Sequence, residues 1–158
     1  MSNEFLLPNK YKLIGWCLLI PAAILGLILT FTSMETFRVN SKVFAIINEP
    51  LMEPTEFFKV VNSNITPTIV GALFIVGAMM VGFSKEKSED EFIAKVRLSS
   101  LLWAVWINYI LLFLSFVFVH GFSFLNVMMY NMFTVLIIFI VRFNYILYKN
   151  SKSVSDEK

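Results

Sequence analysis

Charge is missing from long parts of this sequence. Four stretches, 13–31, 65–83, 98–119 and 122–141, contain no Asp, Glu, Lys or Arg. At about 20 residues each, they match a hydrocarbon core of about 30 Å. The whole chain is 15% charged, against about 25% for an average soluble domain. Helices of a soluble core would still carry a polar face, and these stretches have almost none. The same lack argues against ion-coupled carriers and proton pumps, which hold ionisable groups within the membrane. Cysteine occurs once, as Cys17, which excludes a disulfide framework and a paired-thiol metal site. Inside an apolar stretch it reads as a small packing residue. Histidine also occurs once, as His120, too few for two axial ligands to a haem. There is no HExxH, GxSxG, CxxC or Gly-rich phosphate loop. The net charge of +2 is too small to point to nucleic acid. Neither an enzyme nor a cofactor protein is therefore expected, and no catalytic, cofactor or metal residues are assigned.

What remains is 58% apolar and 16% aromatic. The expected fold is all-α: a polytopic membrane protein with a four-helix transmembrane bundle as its single domain. The apolar run after Lys12 exceeds the 7–15 residues of a signal-peptide core, and no small-x-small site follows it. The first span is therefore expected to be retained. Pro21 lacks the donor for the carbonyl of Cys17, so a kink is expected there. Ala22 and Gly26 in the first span, like Ala78 and Gly82 in the second, are small residues four apart, a spacing that permits close helix approach. With Gly71 and Gly77 added, the first two spans are expected to touch. Thr66 and Pro67 suit the start of the second.

The 32–64 connection contains Val43–Ile47, Pro50, Pro54 and Thr55–Val61. Thr55 can cap a short amphipathic helix with Phe57, Phe58 and Val61 on one side, lying on the membrane surface. A plain loop is the alternative. The Asn64-Ile65-Thr66 triplet abuts a span and reads as chance rather than as a glycosylation site.

The segment Ser84–Val119 changes from dense charge to none. Ser88 and Glu91 have capping-box spacing, and Glu89, Asp90 and Glu91 favour the positive end of a helix. Glu91 and Lys95 stand at i,i+4. No Gly or Pro interrupts 92–119, so one continuous helix is predicted. Asp90, Ala94, Arg97, Leu101, Ala104, Asn108, Leu111 and Ser115 share one face, the face expected to meet other helices. Arg97 is expected to pair with Asp90 or with a lipid phosphate. Only His120 and Gly121 separate the last two spans, which forces an antiparallel hairpin. Ser115 then lies level with Asn126, and Asn108 lies within a turn of Asn131 and Thr134. Asn108 bonded to Asn131 or Thr134 is the expected interhelical contact. Arg142, Tyr145, Tyr148 and Lys149 are expected interfacial anchors, and the chain from Ser151 is expected to be disordered.

Positive charge sets orientation. The start of the chain, the 84–97 segment and the end from Arg142 carry ten Lys and Arg, and the 32–64 loop carries three. Both ends and the 84–97 loop are therefore expected in the cytoplasm, with 32–64 and His120 outside. Glu86, Glu89, Asp90 and Glu91 could gather a divalent cation, but interspersed lysines favour an ordinary solvated helix start.

The segments KEKSEDEFIAKVR, WAVWINY and YNMFT leading to IVRF resemble small uncharacterised four-span proteins of Bacteroidota. The resemblance covers the second half of the chain and implies a bacterial inner-membrane location with the same topology. It implies no activity. The functional expectation is a non-enzymatic accessory or sensory component that docks a cytoplasmic protein through Glu89, Asp90, Glu91 and Arg97. The alternative is an oligomeric transport or channel subunit using Asn108, Ser115, Asn131 and Thr134. Membrane lipids and further copies of the chain are the other expected partners.

Overall fold

The computed structural model describes residues 6–31, 38–48 and 56–156. In chain order it contains α1 (Lys10–Phe31), β1 (Asn40–Asn48), β2 (Glu56–Asn64), α2 (Thr66–Gly82), α3 (Glu91–Phe118) and α4 (Phe122–Asp156). The protein is mostly helical. Helices α1, α3 and α4 are long and apolar enough to cross a membrane. The 17-residue α2 is apolar but shorter. At 1.5 Å per residue it spans about 26 Å.

An all-α fold is corrected by one feature, an antiparallel hairpin of β1 and β2. The 55–61 segment, expected as an amphipathic helix, is instead part of β2, while Thr55 itself lies outside the described residues. The reason lies in composition. Val43, Phe44, Ile46 and Ile47 on one strand and Phe57, Phe58, Val60 and Val61 on the other are β-branched or aromatic, types that fit a pleated surface. Val43 pairs with Val61, Phe44 with Val60 and Ile47 with Phe57. A helix using Phe57 and Val61 alone would leave β1 without its ladder of hydrogen bonds. Phe58 takes a left-handed conformation at φ 53° and its ring lies 6.3 Å from that of Phe44.

The chain divides into two compact units. One comprises Met1–Leu19 with Ile75–Lys158, and the other Ile20–Phe74. The second holds the hairpin. There the Ile65 N–H donates to the Val39 carbonyl at 3.0 Å, and the Asn64 side chain accepts from the Thr66 N–H at 3.1 Å. Thr66 in turn accepts from the Val39 N–H. The Asn64 amide, the acceptor of the glycosylation triplet, thus closes the turn into α2.

In the first unit, α1 meets α2 at two glycines. A Cβ built on Gly15 would lie 2.8 Å from the Cβ of Met80, and one on Gly77 would lie 2.8 Å from the Leu19 amide nitrogen. The predicted touch occurs, and of the glycines expected to allow it Gly77 makes it rather than Gly82. Gly82 faces Phe139 of α4, whose Cε1 would be 2.5 Å from an added Cβ. Phe139 and Phe143 are fully buried and stack at 6.0 Å, with Phe83 at 5.7 Å from Phe139. Outward-facing positions keep large apolar groups, such as Trp106 at 70% exposure and Phe118 at 76%. Such a surface suits hydrocarbon rather than water. Cys17 is exposed, not the packing residue expected.

Helices α3 and α4 form a hairpin turned by Val119, His120 and Gly121. Gly121 adopts φ +74°, a conformation that costs glycine nothing. Phe116 meets Phe124 edge-on next to the turn, with ring centroids 5.6 Å apart. Helix α4 continues to Asp156, so the expected disorder from Ser151 is replaced by helix up to that point. No Gly or Pro occurs between 122 and 156 to stop it.

Candidate functional site

The polar groups of the first unit gather around the linker that joins α2 to α3. Leu7 binds this linker on both sides, with its N–H donating to the Phe83 carbonyl at 3.0 Å and its carbonyl accepting from Lys85 N–H at 2.8 Å. The Asn9 amide donates to the Lys85 carbonyl at 2.7 Å, and Lys12 of α1 is ion-paired with Glu86. These contacts fasten the start of α1 to a linker that would otherwise lack secondary structure.

Arg97 is the centre of the site. It lies on the first turns of α3 and is only 8% exposed. Nη1 donates to Glu89 Oε1 at 2.6 Å and Nη2 to Oε2 at 3.2 Å. Nη2 also donates to the Ser84 carbonyl at 3.1 Å. Such a two-pronged arginine–carboxylate contact fixes direction as well as distance. The guanidinium lies over the Phe143 ring, 5.1 Å from its centroid, a favourable cation–π position. One residue thereby connects the linker, α3 and α4. The expected partner, Asp90, does something else: it is the N-cap of α3, accepting from the Ile93 N–H at 2.8 Å. The helix accordingly starts at Glu91, and the Ser88–Glu91 capping box does not form. Burial pushes the Glu89 carboxyl up. The Arg97 hydrogen bonds, the Glu86 N–H at 2.8 Å and the charges of Arg97 and Lys85 outweigh it and hold the group below its ordinary value.

The four acids that could gather a cation are thus distributed over four partners. Glu86 meets Lys12, Glu89 meets Arg97, Asp90 caps α3, and Glu91 pairs with Lys95 at 3.0 Å. Among the described residues no cluster of three metal-ligating side chains occurs. Of the four residues expected to dock a partner, Glu89 and Arg97 face inward and Asp90 is tied to the backbone. Asp90 is itself exposed, and Glu91 and its companion Lys95 point outward, at 83% and 74% side-chain exposure.

A second polar contact lies deeper in the α3–α4 hairpin. Asn108 and Asn131 exchange two hydrogen bonds, at 3.1 and 3.2 Å. Asn108 is buried, and its donor and acceptor both face those of Asn131. Ser115 and Thr134 take no part: each hydroxyl donates to a carbonyl one turn back, of Leu111 and Tyr130. Asn126 is exposed, as is His120. At the opposite end of the hairpin, Arg142 lies over Trp103, 4.6 Å from its ring centroid.

The reciprocal amide pair carries a prediction. Asn108→Leu and Asn131→Leu each leave one amide without its partner in an apolar setting. The double variant should therefore cost less than the two single costs added, by about 0.6 to 2 kcal/mol. Reversible unfolding in detergent measures this, and simple additivity would mean the amides do not interact.

The chain matches no family model, no curated protein and no solved structure. Glu86, Glu89 and Glu91 are each ion-paired, with Lys12, Arg97 and Lys95. The site is a clasp of ion pairs and hydrogen bonds with Glu91 and Lys95 on its outward-facing side. Sequence reasoning missed Gly15 and the pairing of Arg97 with Glu89. A carboxylate preceding an N-cap by one residue was the available signal for the latter.

Proposed function

We propose that the protein is a non-enzymatic multi-pass component of a bacterial inner membrane, accessory or regulatory in role. In this reading a cytoplasmic protein docks on the start of α3. The observation that carries it is the combination of a locked helix start with an outward pair. Glu89 and Arg97 fix the first turns of α3, while Glu91 and Lys95 remain outward and available. A docking surface on a rigid support keeps more of its contact energy, because little ordering accompanies binding.

The proposed topology is four spans with both ends and the 84–97 segment in the cytoplasm. The excess of Lys and Arg on those segments supports it. A cysteine introduced at Lys87 is expected to react with a membrane-impermeant reagent only after the cytoplasmic side is opened. One at Lys59 should react from outside. Labelling of the first from outside would reverse the orientation and remove the docking surface from the cytoplasm.

The docking reading has its own test. Exchanging the pair, Glu91→Lys with Lys95→Glu, keeps the net charge and alters the helix itself by only about 0.5 kcal/mol. Protein abundance should stay constant while the co-purifying partner is lost. An unchanged set of co-purified proteins would leave the segment as a connector only. An oligomeric channel is less well supported, since the Ser115 and Thr134 hydroxyls bond within their own helices and Asn108 with Asn131.

A further inference from the structure

A groove of about 580 Å³ opens beside the clasp, between the start of α1, the linker, the start of α3 and the end of α4. Its walls differ by height along α1. Lys10 and Lys12 stand at the helix start, and Leu13 and Trp16 follow one turn further in. Across the groove, Lys87 and Ser88 of the linker form the polar side, and Ile93 and Leu147 complete the apolar side. Three lysines face a single acid, Glu86, which already holds Lys12. Among the described residues, neither Lys10 nor Lys87 has a carboxylate partner in the groove. The result is a site with cations at one level and an aromatic and aliphatic wall at the next.

We propose that this groove binds the headgroup of an anionic phospholipid, with the phosphate at Lys10 and Lys87 and the upper acyl chain along Leu13, Trp16, Ile93 and Leu147. The chemistry follows from the arrangement. Ammonium groups act as point charges for phosphate, and Ser88 adds a hydroxyl donor to the same side. Tryptophan prefers the level where headgroup and hydrocarbon meet. Basic pockets between helices at a membrane surface are suited to acidic lipids. A soluble phosphate compound would use the lysines but gain nothing from the apolar wall. The lipid uses both. Arg97, the lipid-phosphate candidate of the sequence, is instead occupied by Glu89. This proposal is independent of the docking partner on α3.

Native mass spectrometry of the purified full chain in mild detergent tests it. Phosphatidylglycerol and phosphatidylcholine with identical acyl chains serve as probes. Wild-type protein should retain phosphatidylglycerol preferentially, and Lys10→Glu with Lys87→Glu should lower that retention by about tenfold or more. Lys42→Glu with Lys149→Glu makes the same change of net charge away from the groove and should leave retention nearly unchanged. Should the first variant fail to fold, Lys10→Gln with Lys87→Gln gives the same reading more gently. Three results overturn the proposal: no preference in the wild type, equal loss in both reversed variants, or displacement of the lipid by inorganic phosphate at equal phosphoryl concentration. The second would mean diffuse surface charge, and the third a site for soluble phosphate.

Discussion

Arg97→Met should destabilise the protein by about 3 to 5 kcal/mol, the usual cost of removing one partner from a buried ion pair. Methionine nearly fills the space of the arginine stem and retains contact with Phe143, so loss of packing is a small part of the effect. The main cost falls on Glu89, whose side chain is only 9% exposed and would be left as an uncompensated charge. The Ser84 carbonyl would also lose the donor now at 3.1 Å. Arg97→Met combined with Glu89→Gln should recover much of the loss, because the isolated charge is gone. If the single and double variants were equally unstable, the damage would come from packing and not from the ion pair.

The pH dependence separates these cases further. In the wild type the Glu89 carboxyl is held below its ordinary value. Its contribution is therefore fully present above the ordinary carboxylate range and is lost as pH falls through the lowered value. In Arg97→Met the sign reverses. Burial, which raises the pKa, would act without the arginine to oppose it. That variant should gain stability relative to wild type as pH falls into the carboxylate range. Thermal midpoints of the two proteins, measured against pH in one detergent, should converge on the acid side.

How far these features can be read from the chain differs from element to element. Long apolar runs and the His120–Gly121 turn are local signals, and they locate α3, α4 and the Asn108–Asn131 depth match directly. The partner of Arg97 was less legible. Helical periodicity puts Asp90 on the same face as Arg97, but Asp90 is outside the helix as its cap. The true partner, Glu89, sits in the non-helical linker before that cap, where no helical spacing applies. The hairpin was missed for another reason. Phe57, Phe58, Val60 and Val61 suit a strand only if a second strand lies opposite, and Val43–Ile47 is separated from them by two prolines. Pairing of distant segments is not visible in either segment alone. Small residues told part of the story: the sequence picked out Gly26, Gly77 and Gly82, but contact at the α1–α2 crossing sets Gly77 against α1 at Gly15 and Leu19, and Gly82 lies elsewhere. Which glycine lies at a crossing depends on helix rotation, and composition does not determine that.

Those glycines lead to the second large effect. Gly77→Ala would place its Cβ 2.8 Å from the Leu19 amide nitrogen, 3.0 Å from the Leu19 Cα and 3.1 Å from the Gly15 carbonyl oxygen. All three atoms are backbone, so no side-chain rotation relieves the contact and α1 must move away from α2. Overpacking of this kind costs about 1 to 3 kcal/mol, and Gly77→Val should cost more. Gly15→Ala meets the same obstacle from the other side, against the Met80 Cβ and the Val81 amide nitrogen. Gly26→Ala is the contrasting case. Its Cβ would lie 3.8 Å from the nearest atom, Val70 Cγ1, which is ordinary van der Waals contact. There alanine should be neutral or stabilise by up to about 1 kcal/mol through its better helix propensity. Unfolding free energies of the three alanine variants in one detergent check the argument. Loss at Gly15 and Gly77 with no loss at Gly26 means that backbone contact, rather than glycine content, determines how α1 meets α2 in the first unit. Equal effects at all three positions would exclude the close crossing.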